Sequence, residues 1–393
     1  MRVLVYTGKG GVGKTSVAAA SGLVAARLGH RTIVLSTDAA HSLGDSLEMR
    51  LGPEPMKVTD NLWAQEVDSL HEMERNWGKI KDYLGRLLSL RNLSRITIEE
   101  LTIFPGTEEL FSLLELCRHV RGGSYDLIIV DCAPTGETLR LLSYPDILRW
   151  WMDRIFPLQR RAMKVLRPVA QPLMPVPLPG DDVFEATQAL FNEITFVHRI
   201  LTDTTLSSVR LVLTPESMVI SEARRSFTYL NLFGFRTDAV IVNRVVPAEV
   251  TDEYFRVWKA SQERHLHTIE EAFGPVPILT VPLYNREVLG LEMLAKVGLD
   301  CFAGRDPSEI LFDRWPQSVA HENGETTLTV LLPFVGKGDI NVTRFGAELV
   351  VHVGGRRRTI LLPRSLAGRE LTRARFEADL LKIVFADPPE GRP

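Results

Sequence analysis

A chain of 393 residues, 45% of them hydrophobic and carrying a net charge of −3, has the makeup of a globular protein of two or three domains. The near-neutral balance leaves no electrostatic footprint for nucleic acid, and no apolar run reaches the roughly 20 residues that a bilayer-spanning helix needs. Cys117, Cys132 and Cys301 lie far apart with no metal-type spacing, a sparse and odd count that points to a reducing compartment. Met1 leads directly into a strand-like run rather than a leader, so a cytoplasmic location is expected.

That run, Val3–Tyr6, is followed by Gly8-Lys9-Gly10-Gly11-Val12-Gly13-Lys14-Thr15, the phosphate-binding loop pattern that joins a strand to a helix. Ser16 to Leu28 is rich in Ala, Leu and Val and stops at Gly29, as a helix does. The glycines let successive N–H groups turn inward to form a nest for phosphate oxygens, and the helix start adds its own free N–H groups. Gly8, Gly10, Gly11, Val12, Gly13, Lys14, Thr15 and Ser16 are therefore expected to bind ATP or ADP. Lys14 is expected to neutralise the β- and γ-phosphates and Thr15 to ligate Mg²⁺. Lys9 is not required by the general pattern.

Further strands are read at Thr32–Ser36, Leu62–Val67, Leu127–Asp131, Val209–Leu213, Ala239–Val242 and Ile278–Val281. Apolar strands separated by helices indicate a parallel sheet covered on both faces. Asp38 follows the second strand, on the side where open α/β sheets hold ligands, and could orient an attacking water. Asp131 ends the most apolar strand, the usual place of the second Mg²⁺ partner, direct or through water. Asn243, at another strand end and followed by Arg244, can bond the adenine edge. A guanine site of the common GTPase type would want Asn-Lys-x-Asp, but the fourth residue is Val246, so ATP is favoured over GTP.

Two stretches, about 70–121 and 144–205, carry too many helical patterns for simple crossovers and are expected to form an inserted helical subdomain. Trp150, Trp151, Met152, Ile155 and Phe156 crowd one segment, and five prolines interrupt 168–179. Such Met-rich, Pro-broken apolar helices suit either a pliable groove for an apolar client or a plain helix-bundle core. A linker is expected at 313–324. From 325 to 386 strand patterns follow at Thr327–Leu332, Ile340–Val342, Leu349–Val353 and Ile360–Leu362, with glycines at turns, a small antiparallel β-sandwich. The fold class is thus α/β: a P-loop NTPase with a mostly parallel sheet over 1–312, plus the C-terminal sandwich.

Four blocks, Gly8–Thr15, Ser36–Leu43, Asp131–Leu142 and the Asn243/Pro282 pair, together resemble the arsenical pump-driving ATPase (ArsA) family, which includes the ATPases that target tail-anchored membrane proteins. The resemblance covers roughly residues 1–312. It implies a homodimer in which Lys9 reaches the partner's nucleotide, Asp38 prepares the water, Asp131 supports Mg²⁺, and Asn243 and Arg244 with Pro282 and Leu283 frame the adenine. The tail resembles the small heat-shock (α-crystallin-type) domain at Leu332-Pro333, Asp339–Val342, Leu349–Val353 and Leu362-Pro363. No Cys-x-x-Cys follows Asn243, so no zinc site is expected, and no cysteine cluster marks a metalloid site. Glu137 and Ala39 stand where the family usually has His and Pro. The resemblance implies an ATP-driven switch that captures and releases an apolar protein or peptide client, such as a membrane-directed one. The alternatives are an arsenite-stimulated efflux-pump subunit and a partition- or positioning-type ATPase.

Overall fold

The structure, a computed structural model, describes residues 1–37, 42–68, 78, 80, 82–83, 107–132, 180–322, 325–346, 348–362, 366 and 369–386. The apolar runs become a sheet of eight strands: β1 (Arg2–Thr7), β2 (Thr32–Ser36), β3 (Met56–Thr59), β4 (Leu62–Glu66), β5 (Leu127–Asp131), β6 (Ser207–Leu213), β7 (Thr237–Val245) and β8 (Ile278–Pro282). Their spatial order is β3-β4-β2-β5-β1-β6-β7-β8. All neighbours run parallel except β3, which pairs antiparallel with β4 at one edge. Strands β2, β5 and β6 are buried along their whole length, because helices cover both faces; that is why these runs read as continuously apolar rather than alternating.

The helices are α1 (Lys14–Arg27), α2 (Ser42–Leu47), α3 (Thr107–Gly122), α4 (Asp181–Thr202), α5 (Ser217–Phe233), α6 (Glu253–Phe273) and α7 (Gly290–Phe302). Helix α1 is buried along almost its whole length, packed on the sheet and against α7. Its alanines suit a helix with neighbours on several sides, since small side chains permit close approach. Only α3, α4 and a few residues near 80 represent the expected helical subdomain; most of 70–121 and 144–205 lies outside the described residues.

One charged residue sits inside an apolar run. Arg210, at the second position of the Val209–Leu213 stretch, is fully buried. It donates to Asp238 Oδ1 at 3.1 Å, to the Tyr6 hydroxyl at 3.0 Å and to the Pro307 carbonyl at 2.8 Å. Burial works against its charge, but Asp238 and Tyr6 outweigh that and hold the guanidinium protonated. A buried cation satisfied in this way fixes the chain around Pro307 against the sheet.

The tail forms two antiparallel sheets, β14-β15-β10-β9 and β11-β12-β13. Their strands are β9 (Gln317–Glu322), β10 (Glu325–Leu331), β11 (Ile340–Phe345), β12 (Glu348–Val353), β13 (Arg356–Leu361), β14 (Leu371–Glu377) and β15 (Leu380–Ala386). Alternate residues of β10 face inward, and Leu328 and Val330 meet Leu349, Val351, Ile383 and Phe385 in a second core. The stretch 313–324, expected as a linker, contains β9, which pairs with β10 throughout. Leu232 of α5 belongs to this second core, so the sandwich is docked on the nucleotide-type domain.

Candidate functional site

The loop between β1 and α1 is shaped by contacts that exclude side chains. A Cβ on Gly8 would lie 2.1 Å from the Val212 carbonyl oxygen of β6, so the loop can enter over β6 only with glycine there. Gly13 has φ +88°, and a Cβ on it would lie 2.3 Å from Asn243 Nδ2; both the left-handed backbone and the neighbour demand glycine. Lys14 opens α1 with its side chain buried, and its ammonium donates to the Lys9 carbonyl at 3.4 Å. The Lys9 side chain is half-buried and makes no hydrogen bond or ion pair among the described residues.

Beside the loop, strand β5 pairs directly with β1, placing Tyr6 opposite Asp131. Asp131 is fully buried, and its Oδ2 accepts the Thr15 hydroxyl at 2.6 Å. The Ser42 hydroxyl lies 3.0 Å from Thr15 Oγ1. Helix α2, which carries Ser42, is held by the Gly44 N–H donating to Glu66 Oε1 at 2.8 Å. The Thr37 N–H and hydroxyl both donate to the Asp131 main-chain carbonyl, at 3.0 and 3.2 Å. Hydroxyls and a carboxylate in one place form a hard-oxygen donor set, the kind that suits Mg²⁺ rather than a thiophilic metal. Asp38 itself, with Ala39 and Glu137, lies outside the described residues.

A cavity of about 410 Å³ opens next to the loop, lined by Gly13, Ser16, Asn243, Arg244, Pro282 and Leu283, and by Ser42 and Asp45. The expected base-framing residues are thus brought together around one space. Asn243, however, has both ends of its amide engaged: Nδ2 donates to the Val12 carbonyl of the loop at 2.8 Å, and Oδ1 accepts the Arg244 N–H at 2.9 Å. Arg244 is held at φ +58°, a left-handed conformation uncommon for a non-glycine residue. Sequence reasoning missed this strut, and also Ser42, Tyr284 and Arg286, which sit around the same cavity. Ser42 stood within a block already singled out; Tyr284 and Arg286 carried no signal beyond following Pro282.

Arg244 and Leu283 also border a second cavity of about 460 Å³, lined by Thr214–Ser217, Tyr254, Trp258 and His265. Its polar groups are largely engaged: His265 Nδ1 with the Pro215 carbonyl at 2.7 Å, and Gln262 with both main-chain groups of Val246. The three cysteines are buried on separate elements, α3, the end of β5 and α7. Burial pushes the Cys132 and Cys301 thiols up to about 12 and Cys117 higher still. Among the described residues no group of three His, Cys, Asp or Glu could hold a metal ion, and no helix is long and apolar enough to cross a membrane.

Comparison with known proteins gives the context. The family profile of the anion-transporting ATPases matches residues 1–301, and that of the HSP20-like domain found in ArsA matches 323–385. A protein of Chlorobaculum tepidum named "Putative arsenical pump-driving ATPase" is 40% identical over 100% of this chain and 98% of its own length. One from Aquifex aeolicus, named "Putative arsenical pump-driving ATPase 1", is 37% identical over 98% of this chain and all of its own. A protein named "ATPase GET3" from Phaeosphaeria nodorum is 28% identical over 75% of this chain and 93% of its own length. With a glycine loop of the phosphate-binding pattern, a hard-oxygen pair beside it and these matches along its length, the chain is an ATPase that belongs to the anion-transporting ATPase (ArsA) family and carries that family's HSP20-like domain as its tail.

Proposed function

We propose that the protein is a homodimeric, Mg²⁺-dependent ATP switch that couples nucleotide binding and hydrolysis to the capture and release of an apolar client. The observation that carries the nucleotide part is adjacency: Gly13 and Ser16 of the loop region line the cavity bordered by Asn243, Arg244, Pro282 and Leu283, and Ser42, on the same lining, meets Thr15 of the Thr15–Asp131 pair. Lys14 binds the phosphates, Thr15 and Asp131 hold the cation, and Asp38 orients the water. A bound Mg²⁺ supplies charge neutralisation between the phosphates and orients the terminal one. The body of residues 1–312 carries this chemistry, and the cytoplasm is its expected compartment.

The dimer rests on Lys9. Its side chain leaves the loop without a partner among the described residues, and a cation delivered across a two-fold axis does the work of an arginine finger, worth on the order of 10³-fold or more in rate. Lys9→Ala should bind ATP nearly normally and hydrolyse it far more slowly, whereas Lys14→Ala should lose binding. Mixed dimers of the two should regain one working site, because the Lys9→Ala subunit keeps its loop and receives Lys9 from its partner. Heterodimers that form without regaining hydrolysis would place Lys9 in cis. The client reading is supported by relatives named GET3 and by the apolar content of the helical stretches. Capture of a labelled apolar peptide by the ATP-bound, hydrolysis-deficient Asp38→Asn form, released on exchange to ADP, tests it.

The names of the Chlorobaculum and Aquifex relatives favour a second reading, an ATPase subunit driving an arsenical pump. Trivalent arsenic needs converging thiolates. The described cysteines are buried apart with raised thiol values, so arsenite should not stimulate hydrolysis. A several-fold, cysteine-dependent stimulation would reverse the order of the two readings.

A further inference from the structure

We infer that Ser42 is a positioning residue for the cation, acting through the Thr15 hydroxyl. The inference rests on the reading of the loop and the Thr15–Asp131 pair as a Mg²⁺-nucleotide site. Thr15 has one hydroxyl proton, and it is directed to Asp131 Oδ2 at 2.6 Å. Asp131 Oδ2 is the acceptor of that bond, so the proton is committed. In the 3.0 Å contact between Thr15 Oγ1 and Ser42 Oγ, Thr15 must then be the acceptor and Ser42 the donor. A threonine oxygen has two lone pairs. Ser42 occupies one, Asp131 fixes the rotor by taking the proton, and a single lone pair is left with one direction in which to meet a cation. Without Ser42 the second lone pair is open and the rotor is held at one point instead of two.

Ser42 is placed for this by more than its own hydroxyl. The Gly44 N–H is anchored on buried Glu66, and a Cβ on Gly44 would lie 2.8 Å from the Met49 carbonyl oxygen, so the turn that presents Ser42 is tightly packed. Ser42 also borders the 410 Å³ cavity, which Asn243 and Arg244 line as well. Its side chain is half-buried and has no main-chain partner among the described residues, which separates it from a plain helix-capping serine.

The test compares binding of ADP with and without Mg²⁺ by titration calorimetry, in the intact chain and in Ser42→Ala and Ser42→Thr. Losing one hydrogen bond of this type is expected to cut the Mg²⁺-dependent gain in ADP affinity by about five- to ten-fold in Ser42→Ala. Affinity for ADP in chelator should fall less than affinity with Mg²⁺ present, and Ser42→Thr should restore the gain. Mn²⁺ in place of Mg²⁺ gives a direct second readout, because its paramagnetic resonance spectrum reports the loss of a fixed oxygen geometry. If Ser42→Ala does not fold, Ser42→Cys, close in size and a weak donor, serves the same comparison. An unchanged Mg²⁺ gain in a folded variant overturns the proposal, as does an equal loss with and without metal, which would mark Ser42 as merely structural. If the unaltered protein shows no Mg²⁺ gain at all, the reading of the site falls and the proposal with it, a result distinct from the other two.

Discussion

Asn243 can act on the nucleotide in two ways, and they predict different binding patterns. If its amide reads the base, only base-bearing ligands suffer from its loss. If it braces the loop, every phosphate ligand does. The structure favours the brace, since Nδ2 donates to the Val12 carbonyl and Oδ1 accepts the Arg244 N–H. Asn243→Ala removes both bonds, each worth about 1 kcal/mol net. The ceiling is then about 2 kcal/mol, or roughly thirty-fold in affinity at 1.4 kcal/mol per decade. Binding of ADP, GDP and inorganic pyrophosphate to the variant, measured by calorimetry with Mg²⁺ present, should weaken by one common factor. Asn243→Asp should be worse than Asn243→Ala. It keeps the acceptor for Arg244 but sets a carboxylate against the Val12 carbonyl and the incoming phosphates. If pyrophosphate binds Asn243→Ala as it binds the unaltered protein while ADP is lost, the brace argument is wrong and Asn243 reads the base.

Two further outcomes follow from burial. Cys132 and Cys301, with thiols pushed up to about 12, and Cys117, higher still, should resist iodoacetamide at pH 8 in the folded protein and react after unfolding, as mass spectrometry would show. Because their folded values lie above the unfolded value of 9.0, their contribution to stability is complete below about pH 9 and is lost progressively above it; rapid labelling of the native chain would contradict the buried placement. Deleting 325–393 should leave ADP affinity intact, since no residue of the tail lines the 410 Å³ cavity. It should nevertheless lower the melting temperature and promote aggregation, because Leu232 loses its cover.

The nucleotide edge was legible because its residues obey a local rule. The loop spacing, the apolar run ending in Asp131 and the strand-end Asn243 each declare themselves within a few positions, and parallel pairing then brings them together. What stayed hidden is long-range. Nothing near Asn243 says that its amide will meet Val12, and nothing near Arg210, inside an apolar strand, says that Asp238, Tyr6 and Pro307 will satisfy it. Strands β14 and β15 were missed for a different reason. Their hairpin turns at Ala378-Asp379, both at positive φ, where Asn-Gly or Asp-Gly would have been the signal. Strand β9 was read as linker because its residues are mostly exposed and show little of the alternation that a half-buried strand displays.

The way the sandwich is attached explains why a boundary drawn from composition understates the coupling. Helix α5 begins just after Thr214–Glu216, which border the cavity next to Arg244 and Leu283, and it ends inside the second core at Leu232. The last carbonyls of a helix have no intrahelical donors. At Leu232 the tail supplies the donors: Gln317 Nε2 donates to its carbonyl at 2.8 Å and the Arg358 guanidinium also reaches it, while Gln317 Nε2 adds a 3.2 Å bond to the Asn231 carbonyl, which already accepts the Gly234 N–H of the helix cap. Arg358 places a positive charge where the helix dipole is negative, a favourable arrangement. The Thr228 hydroxyl donates to the Pro333 carbonyl at 2.6 Å, and Phe334 packs edge-on to Phe273 under the Arg224 guanidinium. The tail thus completes the Leu232 carbonyl, which the helix itself leaves without a donor, and adds a partner to Asn231 and Thr228. A 17-residue helix is a rod of about 25 Å, and its two ends belong to the nucleotide edge and to the sandwich core. Helix α5 therefore links the residues beside Arg244 and Leu283 to the core of the tail.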